Sequence, residues 1–146
     1  MSKLTLAAAE SIIDGALLVA AEMGLQPMTV AVLDDGGHLK AFRRQDGPGA
    51  GLRPQVAIGK AFAAVGMGAR GSRFWESTAA ERPHFVAGLI GISDGRFIPG
   101  RGGVIVLDDD GHVLGAVGVS GDLPDNDEQI AVAGIKSAGL RYDTGE

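Results

Sequence analysis

Several groups of residues have the types and spacing to do chemistry. The first lies in GAVGVSGDLPDNDEQIAVAG, residues 115–134, where a glycine-studded apolar run stops at Ser120 and Gly121, crosses a polar bend and meets acids. A nucleophile elbow needs Gly-x-Ser-x-Gly between a strand and a helix. Here Ser120 is followed at once by Gly121 and position 122 is Asp, so the spacing fails. Ala116, Gly118 and Ser120 alternate, which leaves one strand face nearly bare for either a helix backbone or a flat ligand. Asp125, Asp127 and Glu128 complement the positive end of the helix they open, as caps before they are catalysts.

The second group is cationic. Arg53 and Lys60 are seven apart and fall near one face of a helix, with Ile58 and Phe62 roughly opposite. Arg44 ends a strand, and Arg101 sits in PGRGGV, residues 99–104. The adjacent Gly102 and Gly103 expose backbone N–H groups, which suits either a carboxylate cradle or a plain turn. These four cations meet an anionic ligand, or they form solvated charged surface. Lys60, Asp127 and Glu128 are the residues that could move a proton, because partial desolvation tunes Lys and Glu toward neutral pH.

Other motifs are weaker. GMGARG, residues 66–71, matches Gly-x-Gly-x-x-Gly but follows a helix, so it is a helix-exit loop and not a dinucleotide site. The histidines are His38, His84 and His112. His84 lies in an apolar stretch, RPHFVAGL, and is the better candidate metal ligand, against the alternative of a packed core histidine. Asp34–Asp35 and Asp108–Asp110 resemble calcium loops only superficially, lacking the spaced acids and terminal Glu.

The elements that must position these residues follow from periodicity. Thr5 caps a helix with apolar residues at Leu6, Ala9, Ile13, Leu17 and Ala20, ending near Gly24. Met28 to Leu33 reads as a buried strand, Asp34 to Gly37 as a hairpin turn, and His38 to Arg44 as the return. Pro54 suits the first turn of a helix running to about Val65. Short helices are expected over Ser72 to Ala80 and Arg82 to Leu89, then a short strand over Arg96 to Pro99. VIVLDDDGHV, residues 104–113, echoes VAVLDDGGHL, residues 30–39: one hairpin solution used twice. A last helix starts near Asp125 or Asn126 and runs to about Ala138, with Gly139 as its stop. The sum is an α+β domain around a mostly antiparallel sheet of about five strands: two hairpins plus the short strand.

The whole chain narrows the function classes. Its 146 residues suit a single domain over residues 1–146, with enough apolar residues (45%) for a core. A net charge of −5 argues against a nucleic-acid surface. Without cysteine there is no disulfide, thiolate site or cysteine nucleophile. No signal peptide or membrane span is evident, so a cytoplasmic location is expected.

Several fragments, in order, resemble one family: the Ala-rich first helix, the Asp-x-x-Gly hairpin, Arg44 to Gly47, Lys60–Ala61, Phe97–Pro99 with Gly102–Gly103, and Gly118–Gly121 followed by Asp127, Glu128 and Ala131. The chain resembles the GlcG/HbpS family of small haem-binding, haem-degrading-like domains. It departs at Ile105, where the family usually has Pro, and at Pro48, where it has Ala. The resemblance implies a profilin-like fold, an antiparallel five-stranded sheet with helices on both faces, in a homo-oligomer. It implies a small-molecule binding domain for haem or a related tetrapyrrole, propionates pairing with Arg44, Arg53, Lys60 or Arg101 and Ser120–Gly121 helping to line a pocket or a subunit interface. The alternative is a cofactor-independent enzyme doing acid–base chemistry on a small carbonyl or carboxylate compound.

Overall fold

The computed structural model describes residues 3–49 and 51–146. Helix α1 spans Leu6–Met23; the Thr5 side chain accepts from the Ala8 N–H at 3.0 Å, and Gly24 closes it in the left-handed conformation. Strands β1 (Thr29–Asp34) and β2 (Leu39–Arg44) form the first hairpin. Then come α2 (Arg53–Gly66), α3 (Ser72–Glu81) and α4 (Pro83–Ile92). Strands β3 (Gly103–Leu107) and β4 (Val113–Ser120) form the second hairpin; α5 (Pro124–Ser137) and β5 (Arg141–Asp143) complete the chain.

All neighbouring strands pair antiparallel, in the order β2-β1-β4-β3-β5. Alternation splits the core into two layers. Val30, Val32, Val117 and Val119 face α1 and α5, whereas Leu33, Ile105 and Ala116 face α2. A third cluster, with Trp75, Val86, Leu89 and Phe97, holds the α3–α4 pair against α2.

One expected strand is absent and another replaces it. Residues 96–99 pair with no strand. Phe97 is buried under α3 and α4, and the Ile98 N–H donates to the Gly59 carbonyl of α2 at 3.2 Å. The fifth strand is β5, which pairs with β3 through Ile105–Asp143, Val106–Tyr142 and Leu107–Arg141. The last helix begins at Pro124, earlier than expected, because a proline at the first helical position loses no intrahelical bond.

The two hairpin turns are built alike. Asp34 Oδ1 accepts from the N–H groups of Gly36 and His38, each at 3.0 Å; Asp108 Oδ1 accepts from Asp110 and His112, each at 2.9 Å. The His112 N–H is the main reason the Asp108 carboxyl lies below the ordinary value of 3.8. At Asp34 burial pulls upward, and the His38 and Gly36 N–H groups outweigh it. Carboxyls depressed in the folded state stabilise it above the unfolded value and lose that contribution as pH falls through the folded one. The unfolding midpoint is therefore expected to drop as pH falls below about 3.8. An Asp34→Asn, Asp108→Asn double variant, which keeps the acceptor without the titration, should flatten that decline in thermal melts. An unchanged acid limb would contradict it.

Candidate functional site

The four cations expected to converge divide into separate groups. Arg44 is paired in register with Thr29, so both project to the same side of the sheet, the side on which Leu33 meets α2. Arg53 opens α2 above them. Thr29, Arg44 and Arg53 line one recess of about 180 Å³, with Pro27, Gln45 and Asp46. Gln45 is fixed there: its N–H donates to the Met28 carbonyl and its Oε1 accepts from the Met28 N–H, both at 2.9 Å. Gly47 lies flat against Pro27, where a Cβ would stand 2.8 Å from the proline Cγ. A second, more open recess of about 410 Å³ shares Pro27, Arg44, Gln45 and Asp46 and adds Leu25 and Arg43.

This recess has unmet hydrogen-bonding capacity. Among the described residues, neither Arg44 nor Arg53 has a carboxylate within ion-pair distance. Thr29 Oγ1 and Arg53 Nε are buried and have no partner among the described residues. The opposing charge is Asp46 on the rim and Asp122 near Arg53; Asp122 accepts from Asn126 Nδ2 (2.8 Å) and from the N–H groups of Leu123 (2.8 Å) and Gln26 (3.1 Å).

Lys60 lies elsewhere, and its helix face is not solvated as the alternative reading of its charge had it. Its ammonium donates to Asp127 Oδ2 at 3.0 Å and to the Val119 carbonyl at 2.9 Å, with the two side chains 8% and 3% exposed. Asp127 Oδ1 also accepts from the Asp122 N–H at 2.9 Å, so this acid is more than a helix cap. Burial pushes the Asp127 carboxyl above its ordinary value, and the Lys60 charge opposes that. Neither residue lines the recesses just described.

Arg101 is engaged by Asp125 at 2.7 Å and Glu76 at 2.8 Å. Glu128 is held by Arg73, whose Nε donates to it at 2.9 Å and Nη2 at 2.6 Å. Arg73 was not singled out from sequence, where nothing local links it to an acid 55 positions on. Arg73, Arg101, Asp125 and Glu128 line another open recess, which shares no residue with that of Arg44 and Arg53 and is internally charge-paired.

At Gly102–Gly103, read as either a carboxylate cradle or a plain turn, the second glycine is a packing contact. The Gly103 N–H donates to Ser72 Oγ at 2.8 Å, and the glycine lies against the Lys60 carbonyl of α2. The bare strand face likewise meets a helix and not a flat ligand: Gly118 packs on the Ala57 carbonyl. Ser120 is buried beside Thr29 in the register, and a Cβ on Gly121 would stand 2.6 Å from the Pro27 carbonyl oxygen. Ser120 and Gly121 thus sit behind the recess and do not line it. His84 is exposed on α4, unlike either the buried ligand or the packed core residue expected of it. Ligand atoms of Asp108, Asp110 and His112 lie within 4.8 Å of one another at the second turn, and His112 Nδ1 is 3.3 Å from Asp108 Oδ2. Among the described residues no helix is long and apolar enough to cross a membrane.

A five-stranded antiparallel sheet flanked by helices, with an arginine-lined recess at one end, defines a small α+β domain of the HbpS/DUF336 fold. The family model described as "Haem degrading protein HbpS-like" matches residues 4–136, and the chain belongs to that family. Among solved structures it is similar to protein ORFY of Klebsiella pneumoniae, with 27% identity and TM-score 0.80 over 95% of this chain and 93% of that one. It is similar to a double mutant of Streptomyces reticuli HbpS, with 28% identity and TM-score 0.77 over 93% and 87%. A PduOC–haem complex shares the fold, with 21% identity and TM-score 0.84 over 97% and 99%. No curated protein sequence matches the chain significantly.

Proposed function

We propose that this chain is a binding domain for haem or a related tetrapyrrole, held by its carboxylates at the Arg44–Arg53 recess. The observation that carries this reading is a pair of arginines facing one recess without acidic partners among the described residues. Buried or half-buried carboxylates need such cationic partners. The family supports the ligand class, as does the haem complex of a protein with this fold. The open recess, about 410 Å³, falls within the roughly 300–1,000 Å³ of small-molecule sites and gives the ring a place beside Leu25 and Pro27. No imidazole lines either recess, so this reading names no axial ligand and extends to metal-free tetrapyrroles. Haem bound there would supply iron redox chemistry, and Arg44 and Arg53 would hold its acid groups. The acid–base alternative requires Lys60, Asp127 or Glu128 to reach a substrate; Lys60 and Asp127 are buried and occupied by each other, and Glu128, which borders the charge-paired recess, is held by Arg73.

Titration with haemin, followed in the visible spectrum, tests the proposal. Stoichiometric addition is expected to shift the Soret band. Charge-assisted bonds contribute about 1.5–3 kcal/mol each, so Arg44→Ala with Arg53→Ala should weaken binding roughly a hundredfold or more. Arg101→Ala should leave affinity unchanged, because that side chain is tied to Glu76 and Asp125. No Soret shift in the parent protein, or equal loss from Arg101→Ala, would overturn it.

A further inference from the structure

We infer that the inner recess is a receptor for a single free carboxylate, with the Thr29 hydroxyl and the Arg53 Nε–H as its buried donors. The inference rests on the reading above for the identity of the larger ligand, but not for the receptor itself. Thr29 carries the argument. It is 1% exposed, lines the recess, and its Oγ1 has no partner among the described residues. Valine has the same shape without the hydroxyl, and an unmet buried hydroxyl is destabilising. A hydroxyl kept there is explained by a group that arrives to accept its hydrogen bond.

The second orphan lies on the same recess. Arg53 Nε is buried without an acceptor, although Arg53 borders an opening. The other two buried orphans, Trp75 Nε1 and Arg101 Nε, belong to residues that do not line it. A carboxylate matches this set, because it can take the Nε edge of a guanidinium with one or both oxygens and leave a lone pair for a hydroxyl. Arg44, opposite Thr29 in the register, adds a cation at the mouth. The recess is about 180 Å³, small for a ring and ample for an acid group. Asp46 on the rim and Asp122 beside Arg53 offset part of the positive charge, which suits a monoanion better than a phosphate dianion.

The receptor therefore selects a ligand by its free acid group and disfavours esterified tetrapyrroles. The first arm of the test is sodium propionate titrated into the ¹⁵N-labelled full chain, against sodium chloride and inorganic phosphate at matched ionic strength. Saturable shifts are expected at the amides of Thr29, Gln45, Gly47 and Gly49. Thr29→Val, which removes one hydrogen bond to a charged group, should weaken propionate about tenfold, while Thr29→Ser retains it. Thr29→Val should melt no lower than the parent, so its folding is not in question. Asp46→Asn should tighten binding. Shifts reproduced by chloride, tighter binding of phosphate, or a Thr29→Val variant that binds like the parent would overturn the receptor, leaving a bound water as the hydroxyl's partner. The second arm compares haemin with its dimethyl ester, the acid expected to bind about tenfold tighter. Equal binding of acid and ester, with propionate silent, overturns the receptor and leaves haem binding standing. Propionate binding with haemin rejected leaves the receptor and removes the tetrapyrrole.

Discussion

Lys60→Met is expected to destabilise the protein by about 3–5 kcal/mol, because it strands a carboxylate in the interior. Asp127 is 3% exposed, and its Oδ2 would lose the ammonium 3.0 Å away. The Val119 carbonyl would lose its side-chain donor at the same time. The deficit should depend on pH with a definite sign. Burial already holds the Asp127 carboxyl above 3.8, and removing Lys60 takes away the charge that opposes this. A carboxyl raised in the folded state favours folding at low pH, and that contribution is lost as pH rises through the folded value. The gap between variant and parent should therefore widen from about pH 4 toward neutrality. Replacing both partners, Lys60→Met with Asp127→Leu, should recover much of the loss, since an apolar pair often substitutes for a buried ion pair. Urea unfolding across this pH range measures all three. A single-variant loss below about 1 kcal/mol, within the range of a surface pair, would show that the ion pair is not closed to water.

Gly118→Ala is the second large effect. A Cβ at this position would overlap the Ala57 carbonyl oxygen and approach the Ala61 nitrogen at 2.8 Å, and both are helix backbone that no rotamer change can move. Helix α2 must shift bodily or β4 must bend. Overpacking of this kind costs about 1–3 kcal/mol, occasionally more. Because Arg53 begins the same helix, the displacement should also weaken haemin binding. Thermal melts and haemin titration of the variant test both consequences, and a variant with parental stability would contradict the close contact.

Local signals in the sequence were enough for much of the frame. Thr5 and Gly24 bound α1 because caps are local chemistry, and both hairpins announce themselves through an aspartate that hydrogen-bonds its own turn. What failed was long-range. The three residues of β5 carry no alternation of their own, and β3 alone makes them a strand. Phe97 and Ile98 have strand-like composition, yet they are drawn onto α2 and under α3 and α4. Lys60 reads as a surface cation until its acid, 67 positions later, folds against it. Arg44 and Arg53 stood out by charge, and they share one recess. Their separation from Lys60 and Arg101 was not legible, and Thr29 looks like any β-branched strand residue until its hydroxyl is seen to lack a partner.

The outermost strand on one side, β2, carries Lys40, Arg43 and Arg44. Arg43 is paired with Glu10 and Asp14, but a second copy approaching to prolong the ladder there would still meet the charges of Lys40 and Arg44, which is how many native edges resist runaway stacking into fibrils. The opposite border, β5, is only three residues long and offers little template. Lateral growth of the sheet is thus disfavoured at one margin by charge and at the other by brevity.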